Sequence, residues 1–128
     1  VGDGKSAWME GKQQNVSSCE TWNDALILTT DEQSIAKSRY RDGWEKICSL
    51  GPSRRTWGDC YGYFLLCTGR AHLMFDINLK SCDILPLLPI IRGAGCKILE
   101  LKKPYRDIIV YSPDLDKEIM SIMAILGK

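Results

Sequence analysis

The sequence is poor in several features that would settle its class at once. It holds one histidine, His72, and its 6 cysteines include no Cys-x-x-Cys pair, so nothing in it carries the ligand spacing of a structural zinc site. Nothing pairs His72 with a Ser or Cys nucleophile, and a triad needs a convergent base and orienter. The longest apolar run, Ile84 to Ile91, is too short to cross a bilayer. Charge of one sign is not in excess: the formal net charge is +1, so no global field draws the chain to nucleic acid or a membrane surface. Gly2 and Gly4 begin a GxGxxG pattern, but the third glycine is missing and no strand precedes them, which removes the dinucleotide reading. No basic region followed by an apolar stretch opens the chain, so no signal peptide is expected and reduced thiols in the cytoplasm are. The initiator Met is absent as well, which fits a chain cropped from a longer one. There is no internal repeat and no low-complexity segment.

What is present is ordinary globular material. The 128 residues, 45% hydrophobic and 26% charged, suffice for one domain with a core. Ala7-Trp8-Met9 and Asn15-Val16 read as strands of a hairpin turning at Glu10-Gly11. Asp24 to Thr29 is a strand buried on both faces. Thr30 and Asp31 offer N-caps for a helix to about Leu50, with Ile35, Ala36, Tyr40, Trp44, Ile47 and Cys48 at helical spacing. Arg54–Trp57 is a short strand, Cys60–Thr68 a helix closed by Gly69, and Leu73–Phe75 a strand followed by a loop to Ser81. Asp83–Ala94 is a helix whose Pro86 falls in the first turn and whose Pro89 should remove a hydrogen bond and bend it. Strands follow at 97–101 and 107–112. Pro113 then begins a last helix with Leu115, Ile119, Ile122, Met123 and Leu126 on one face. Alternating strands and helices predict α/β layering with a largely parallel sheet.

Three carboxylates, Asp59, Asp76 and Asp83, fall at the edges of these elements, where α/β folds bind ligands. Asp83 has two readings. It is an N-cap, or it is a ligand to Mg²⁺, which takes one or two carboxylates together with water and phosphate oxygens. Arg54 and Arg55 are either a solvated strand end or a guanidinium that orients an anionic substrate. The tryptophans at 8, 22, 44 and 57 read as core or rim anchors rather than a base-stacking platform, because no basic stripe accompanies them.

The run Arg55-Thr56-Trp57-Gly58-Asp59-Cys60-Tyr61-Gly62-Tyr63, continuing to Gly69-Arg70-Ala71, then Asp76, then Asp83, resembles the C-terminal half of the inositol monophosphatase superfamily, most of all its histidinol-phosphate phosphatases. Val1-Gly2, Gly4, Ala7-Trp8, Gly11 and Val16-Ser17 are similar to the family hairpin, and Ser112-Pro113 and Leu115 to the start of its final helix. The resemblance covers residues 1–128. It implies half of a layered αβαβα sandwich, with a mostly parallel mixed sheet and flanking helices, and metal-assisted hydrolysis of a phosphate monoester. It implies Asp83 as a metal ligand for Mg²⁺, and Arg55, Asp59 and Asp76 on the substrate side. The partners expected are a small phosphomonoester and either a homodimer mate or a complementing N-terminal half.

The sequence also departs from that pattern. Cys82 stands where the family carries Trp before the metal-binding Asp, Arg92-Gly93 replaces an acidic pair, Cys96 replaces a Gly, and Pro86 a small helix former. Gly93 inside a helix costs about 1 kcal/mol relative to Ala. The family's Gly-Glu-Glu and Asp-Pro-x-Asp-Gly-Thr motifs, which supply most of the metal ligands, do not occur in these residues. The expectation is therefore a Mg²⁺-dependent phosphatase of histidinol phosphate, inositol phosphate or a similar monoester, with the N-terminal part of its site missing, so that this chain alone is weak or inactive. The rival, motivated by positions 82, 92, 93 and 96, is a truncated or decayed non-catalytic domain that serves as an interaction module.

Overall fold

A computed structural model describes residues 1–125. Leu126, expected on the last helix, lies outside the described residues.

The chain opens on a hairpin of β1 (Ala7–Met9) and β2 (Lys12–Gln14). Glu10 and Gly11 both have positive φ, 52° and 78°, the paired left-handed geometry that two-residue hairpin turns require. The second strand is Lys12–Gln14 rather than Asn15-Val16; Val16 instead donates its N–H to the Ala94 carbonyl at 2.8 Å.

The main sheet has five strands in the order β4 (Ser53–Arg55), β3 (Leu26–Thr29), β5 (Leu73–Asp76), β7 (Asp107–Tyr111), β6 (Lys97–Lys102). It is mixed. β3 runs parallel to β4 and β5, and β7 runs antiparallel to β5 and β6. The central strands β5 and β7 are buried throughout, as their unbroken apolar runs require. The edge strand β4 is only three residues long, fully exposed and carries Arg54 and Arg55, a short charged edge that discourages further strand pairing.

Each face of the sheet has its own core. Ile27, Leu73, Phe75, Ile109 and Tyr111 point to one side. There they meet Ile35 of α1 (Glu32–Ala36), Trp44 and Ile47 of α2 (Arg41–Ser49), and Ile119, Ile122 and Met123 of α6 (Asp116–Ile125). Phe75 anchors this side, with the Trp44 ring edge-on at 5.6 Å; each such ring adds about 0.5–1.5 kcal/mol beyond its buried area. Leu28, Met74, Ile108 and Val110 point the other way. They are covered by α3 (Asp59–Cys67), by α4 (Ser81–Ile84) and by α5 (Leu88–Gly93), with the hairpin outside α5. Residue alternation along each strand thus gives the layering.

Two expected helices are broken. The span from Thr30 to Leu50 becomes α1 and α2 because the Ser38 hydroxyl donates to the Ile35 carbonyl at 2.7 Å and accepts the Tyr40 N–H at 3.1 Å, which diverts the backbone from the helical ladder. The span from Asp83 to Ala94 becomes α4, a 3₁₀ turn at Leu85–Leu87, and α5. Pro89 then lies in the first turn of α5 and forfeits no helical bond. All 6 cysteines are unbridged, and among the described residues no helix is long and apolar enough to cross a membrane.

Gly93 has a packing role that its sequence position conceals. A Cβ there would collide with the Ser6 carbonyl of the hairpin, and a Cβ on Gly2 would stand 2.7 Å from Ile90 Cα. The two glycines let α5 and the hairpin meet backbone to backbone. Gly93→Ala should therefore destabilise by about 1–3 kcal/mol through overpacking, although helix propensity alone predicts a gain. Urea unfolding checks the sign, and a more stable variant would refute the contact.

Candidate functional site

β3 and β5 run parallel, so Thr29 and Asp76 end at the same edge of the sheet. Beyond that edge lies a cavity of about 500 Å³ lined by Asp59, Asp76 and Asp83, with Thr30, Tyr63 and Cys82 among its other walls. Three sequence-predicted carboxylates are thereby brought to one opening. Arg55 is not among the lining residues. It is exposed on β4, with its guanidinium 5.8 Å from the centre of the Trp57 ring and one N–H donated to the Arg54 carbonyl at 2.7 Å.

Asp59 is placed by a close approach between two segments. The Gly58 backbone lies so near Thr30 that a Cβ would overlap its Cα and Oγ1. The Asp59 N–H donates to Thr30 Oγ1 at 3.1 Å, and Asp59 adopts φ of 54°. A left-handed non-glycine residue costs on the order of 1–3 kcal/mol and persists only where its surroundings hold it.

Asp76 is 4% exposed. The Tyr63 hydroxyl of α3 donates to its Oδ2 at 3.1 Å. Burial raises its carboxyl to about 6; hydrogen bonds from Tyr63, Thr30 and the Ile77 backbone oppose the rise, and the Asp59 charge adds to it. Burial and the neighbouring carboxylate push the Tyr63 phenol well above its ordinary range, so it stays a donor. Sequence reasoning passed over Thr30 and Tyr63 as site residues. Tyr63 sits one helical turn beyond Asp59 in the quoted motif, the spacing that puts both on one helix face.

Asp83 is not an N-cap. Lys80 holds that position and Asp83 is the third residue of the turn. Asp83 Oδ2 accepts the Lys80 N–H at 2.9 Å and its own N–H returns to the Lys80 carbonyl at 2.9 Å. One carboxylate oxygen is committed to the helix start. The other, Oδ1, accepts only the Cys82 thiol among the described residues, at 3.9 Å. Cys60 is exposed and lines the cavity too.

The donor set is oxygen-rich, which suits a hard cation such as Mg²⁺. Among the described residues, no three His, Cys, Asp or Glu groups converge closely enough to enclose an ion. The cavity carries three carboxylates on separate elements, and Asp83 Oδ1 is the oxygen not tied to backbone.

Asp76 makes folding depend on pH in a defined direction. Its folded value, about 6, exceeds the reference of 3.8. The folded state therefore holds more protons than the unfolded chain between those limits, and stability from this group is full below about 4 and lost as pH rises through about 6. Asp76→Asn, which keeps an acceptor for Tyr63, should gain on the order of 1–3 kcal/mol on wild type between pH 4 and 7. Paired urea titrations across that window check it, and parallel curves would contradict it.

No family model matches the sequence. The chloroplastic bifunctional phosphatase IMPL2 of Arabidopsis thaliana is 33% identical over 104 residues, covering 77% of this chain and 28% of that protein. The histidinol-phosphatase of Chlorobaculum parvum is 26% identical over 92 residues, covering 72% and 36% respectively. A solved inositol monophosphatase from Zymomonas mobilis superposes with a TM-score of 0.77 at 27% identity, over 90% of this chain and 48% of that one. The chain spans 28% and 36% of the curated relatives and about half of the solved structure. By sequence and by fold, it belongs to the inositol monophosphatase superfamily and corresponds to part of its C-terminal region.

Proposed function

We propose that this chain forms the C-terminal part of a Mg²⁺-dependent phosphomonoesterase acting on histidinol phosphate, an inositol phosphate or a similar small monoester. The observation that carries the reading is the convergence of Asp59, Asp76 and Asp83 on one cavity at the ends of parallel strands. Asp83 Oδ1 would hold the metal, because Oδ2 is already fixed by the Lys80 N–H. When bound, the cation polarises a phosphoryl oxygen and activates water. Asp59 and Asp76 face the same space and would accept hydrogen bonds from the alcohol or amine of the substrate. The rigid Tyr63–Asp76 bond fixes the second of these acceptors in place. Arg55 would meet the substrate from the rim, where Trp57 stacks against it.

One free ligand oxygen does not complete a magnesium site, so catalysis requires a complementing N-terminal half. The exposed large apolar side chains favour this partner. Val1, Trp8, Met9 and Phe64 line an apolar groove of about 270 Å³ between β1, α3 and α5, and the Tyr61 and Trp57 rings continue from Phe64; Met120, on α6, stands apart. A contiguous patch of this kind marks a surface that is normally covered. Homodimerisation through the same face is the other arrangement that would cover it. A place in histidine synthesis goes with the histidinol-phosphate reading, and the cytoplasm with the six unbridged cysteines, which a reducing compartment keeps as thiols. The rival, a non-catalytic interaction module, draws on the same apolar face, but it loses one of its motives: Gly93 serves the hairpin contact rather than marking decay.

Phosphate release from histidinol phosphate with Mg²⁺ is the test, run on the chain alone and with an N-terminal half of an inositol monophosphatase-type protein supplied. Hydrolysis should be negligible alone and appear in the mixture, and Asp83→Asn should lower kcat by about 10²-fold or more. No release in any combination would leave the interaction-module reading.

A further inference from the structure

A second cleft lies behind the first. It has a volume of about 660 Å³ and is lined by Lys37 and Arg39 of the α1–α2 connection and Lys102 of β6, with Ser34, Ser38 and Asp107. None of the three cations belongs to an ion pair among the described residues; the pairs found are Arg41–Asp42, Arg54–Glu32 and Lys97–Asp116. The single carboxylate in the lining, Asp107, is buried and spent: its Oδ2 accepts the Tyr40 hydroxyl at 2.6 Å and its Oδ1 the Asn78 N–H at 2.9 Å. The Arg39 guanidinium is held 5.6 Å from the centre of the Tyr40 ring, so it is steadied near the cleft rather than left to range through solvent. The balance inside is three cations against one carboxylate already hydrogen-bonded.

The position of this cleft matters as much as its charge. Ile77 and Asn78 line it and also line the carboxylate cavity. They form a shared wall, and Asn78 holds φ of 58° there, tied to Asp107 through its N–H.

We propose that this basic cleft is a second anion site, distinct from the carboxylate cavity, that takes the phosphate group of a small molecule. An arginine can meet phosphate with a two-pronged hydrogen-bond fork, while the two lysines contribute point charge. An anion seated there bears directly on the segment that walls the first cavity. Its binding does not depend on hydrolysis, so this proposal and the phosphatase reading can fail separately.

The test is an amide-shift titration of the isotopically labelled chain by NMR with inorganic phosphate, against sodium chloride at matched ionic strength. A second arm uses glycerol phosphate, to tell free phosphate from a phosphomonoester. Saturable shifts are expected at residues 37–40, 77–78 and 102, and Asp83→Asn should not change them. Lys37→Glu with Arg39→Glu should weaken the apparent affinity about tenfold or more, since close charge governs such pairing. Lys102→Gln, a milder change at an exposed site, should weaken it less. Tighter binding of glycerol phosphate would identify a phosphomonoester as the ligand; equal binding would identify the phosphate group alone. Shifts that match the chloride control, that cluster only around residues 59, 76 and 83, or that survive the charge reversal would overturn the proposal.

Discussion

The candidate site depends on one close approach, where the start of α3 is pressed against the end of β3. Gly58 has no Cβ because Thr30 occupies that space, and the Thr30 hydroxyl receives the Asp59 N–H. This contact fixes the origin and direction of α3. Once α3 is placed, Asp59 faces the cavity and Tyr63, one turn on, reaches Asp76 at the end of β5. A side chain at position 58 would force α3 away from the sheet edge and separate the carboxylates that the cavity gathers. A left-handed Asp59 and a buried Asp76 are both costly features, and the Thr30 and Tyr63 hydrogen bonds hold them in place.

Asp83 shows how one side chain serves fold and site together. Its two oxygens are divided, one closing the first turn of α4 and the other open to the cavity. The structural role of this residue therefore leaves room for the proposed one. The backbone bond sets the direction of the free oxygen, and a ligand held by its surroundings in this way is better oriented than one on a freely rotating side chain. A neighbouring bulky aromatic is not needed for this. Cys82 occupies the adjacent position, and the carboxylate is still pinned by the Lys80 N–H.

Much of this was legible in the sequence, and the reasons are specific. The strands at 26–29, 73–76 and 107–111 could be read because burial on both faces leaves unbroken apolar runs. The gathering of Asp59, Asp76 and Asp83 followed from their places at element edges. What could not be read were effects of single hydrogen bonds. Ser38 breaks the first long helix through its hydroxyl, whereas the apolar spacing of Ile35, Tyr40 and Trp44 continues across the break. The residue that caps α4 is Lys80, a type with no capping preference, so sequence offers Asp83 as the cap candidate instead. Gly93 looked like a helix defect because the hairpin that needs it is about ninety residues away in sequence and touches it only after folding. Arg55 shared a motif with the site residues, yet it is exposed on β4 against Trp57 and does not line the cavity.

The central claim is that the carboxylates gathered by the Gly58–Thr30 contact form the wall at which a divalent cation is held. Paramagnetic broadening of amide resonances by Mn²⁺, a stand-in for Mg²⁺ that reports even weak occupancy, tests it most directly. The account predicts broadening that is strongest at Lys80, Asp83 and Asp59, and that largely disappears in Asp83→Asn. Broadening centred elsewhere on the surface, or unchanged when that carboxylate is removed, would contradict it.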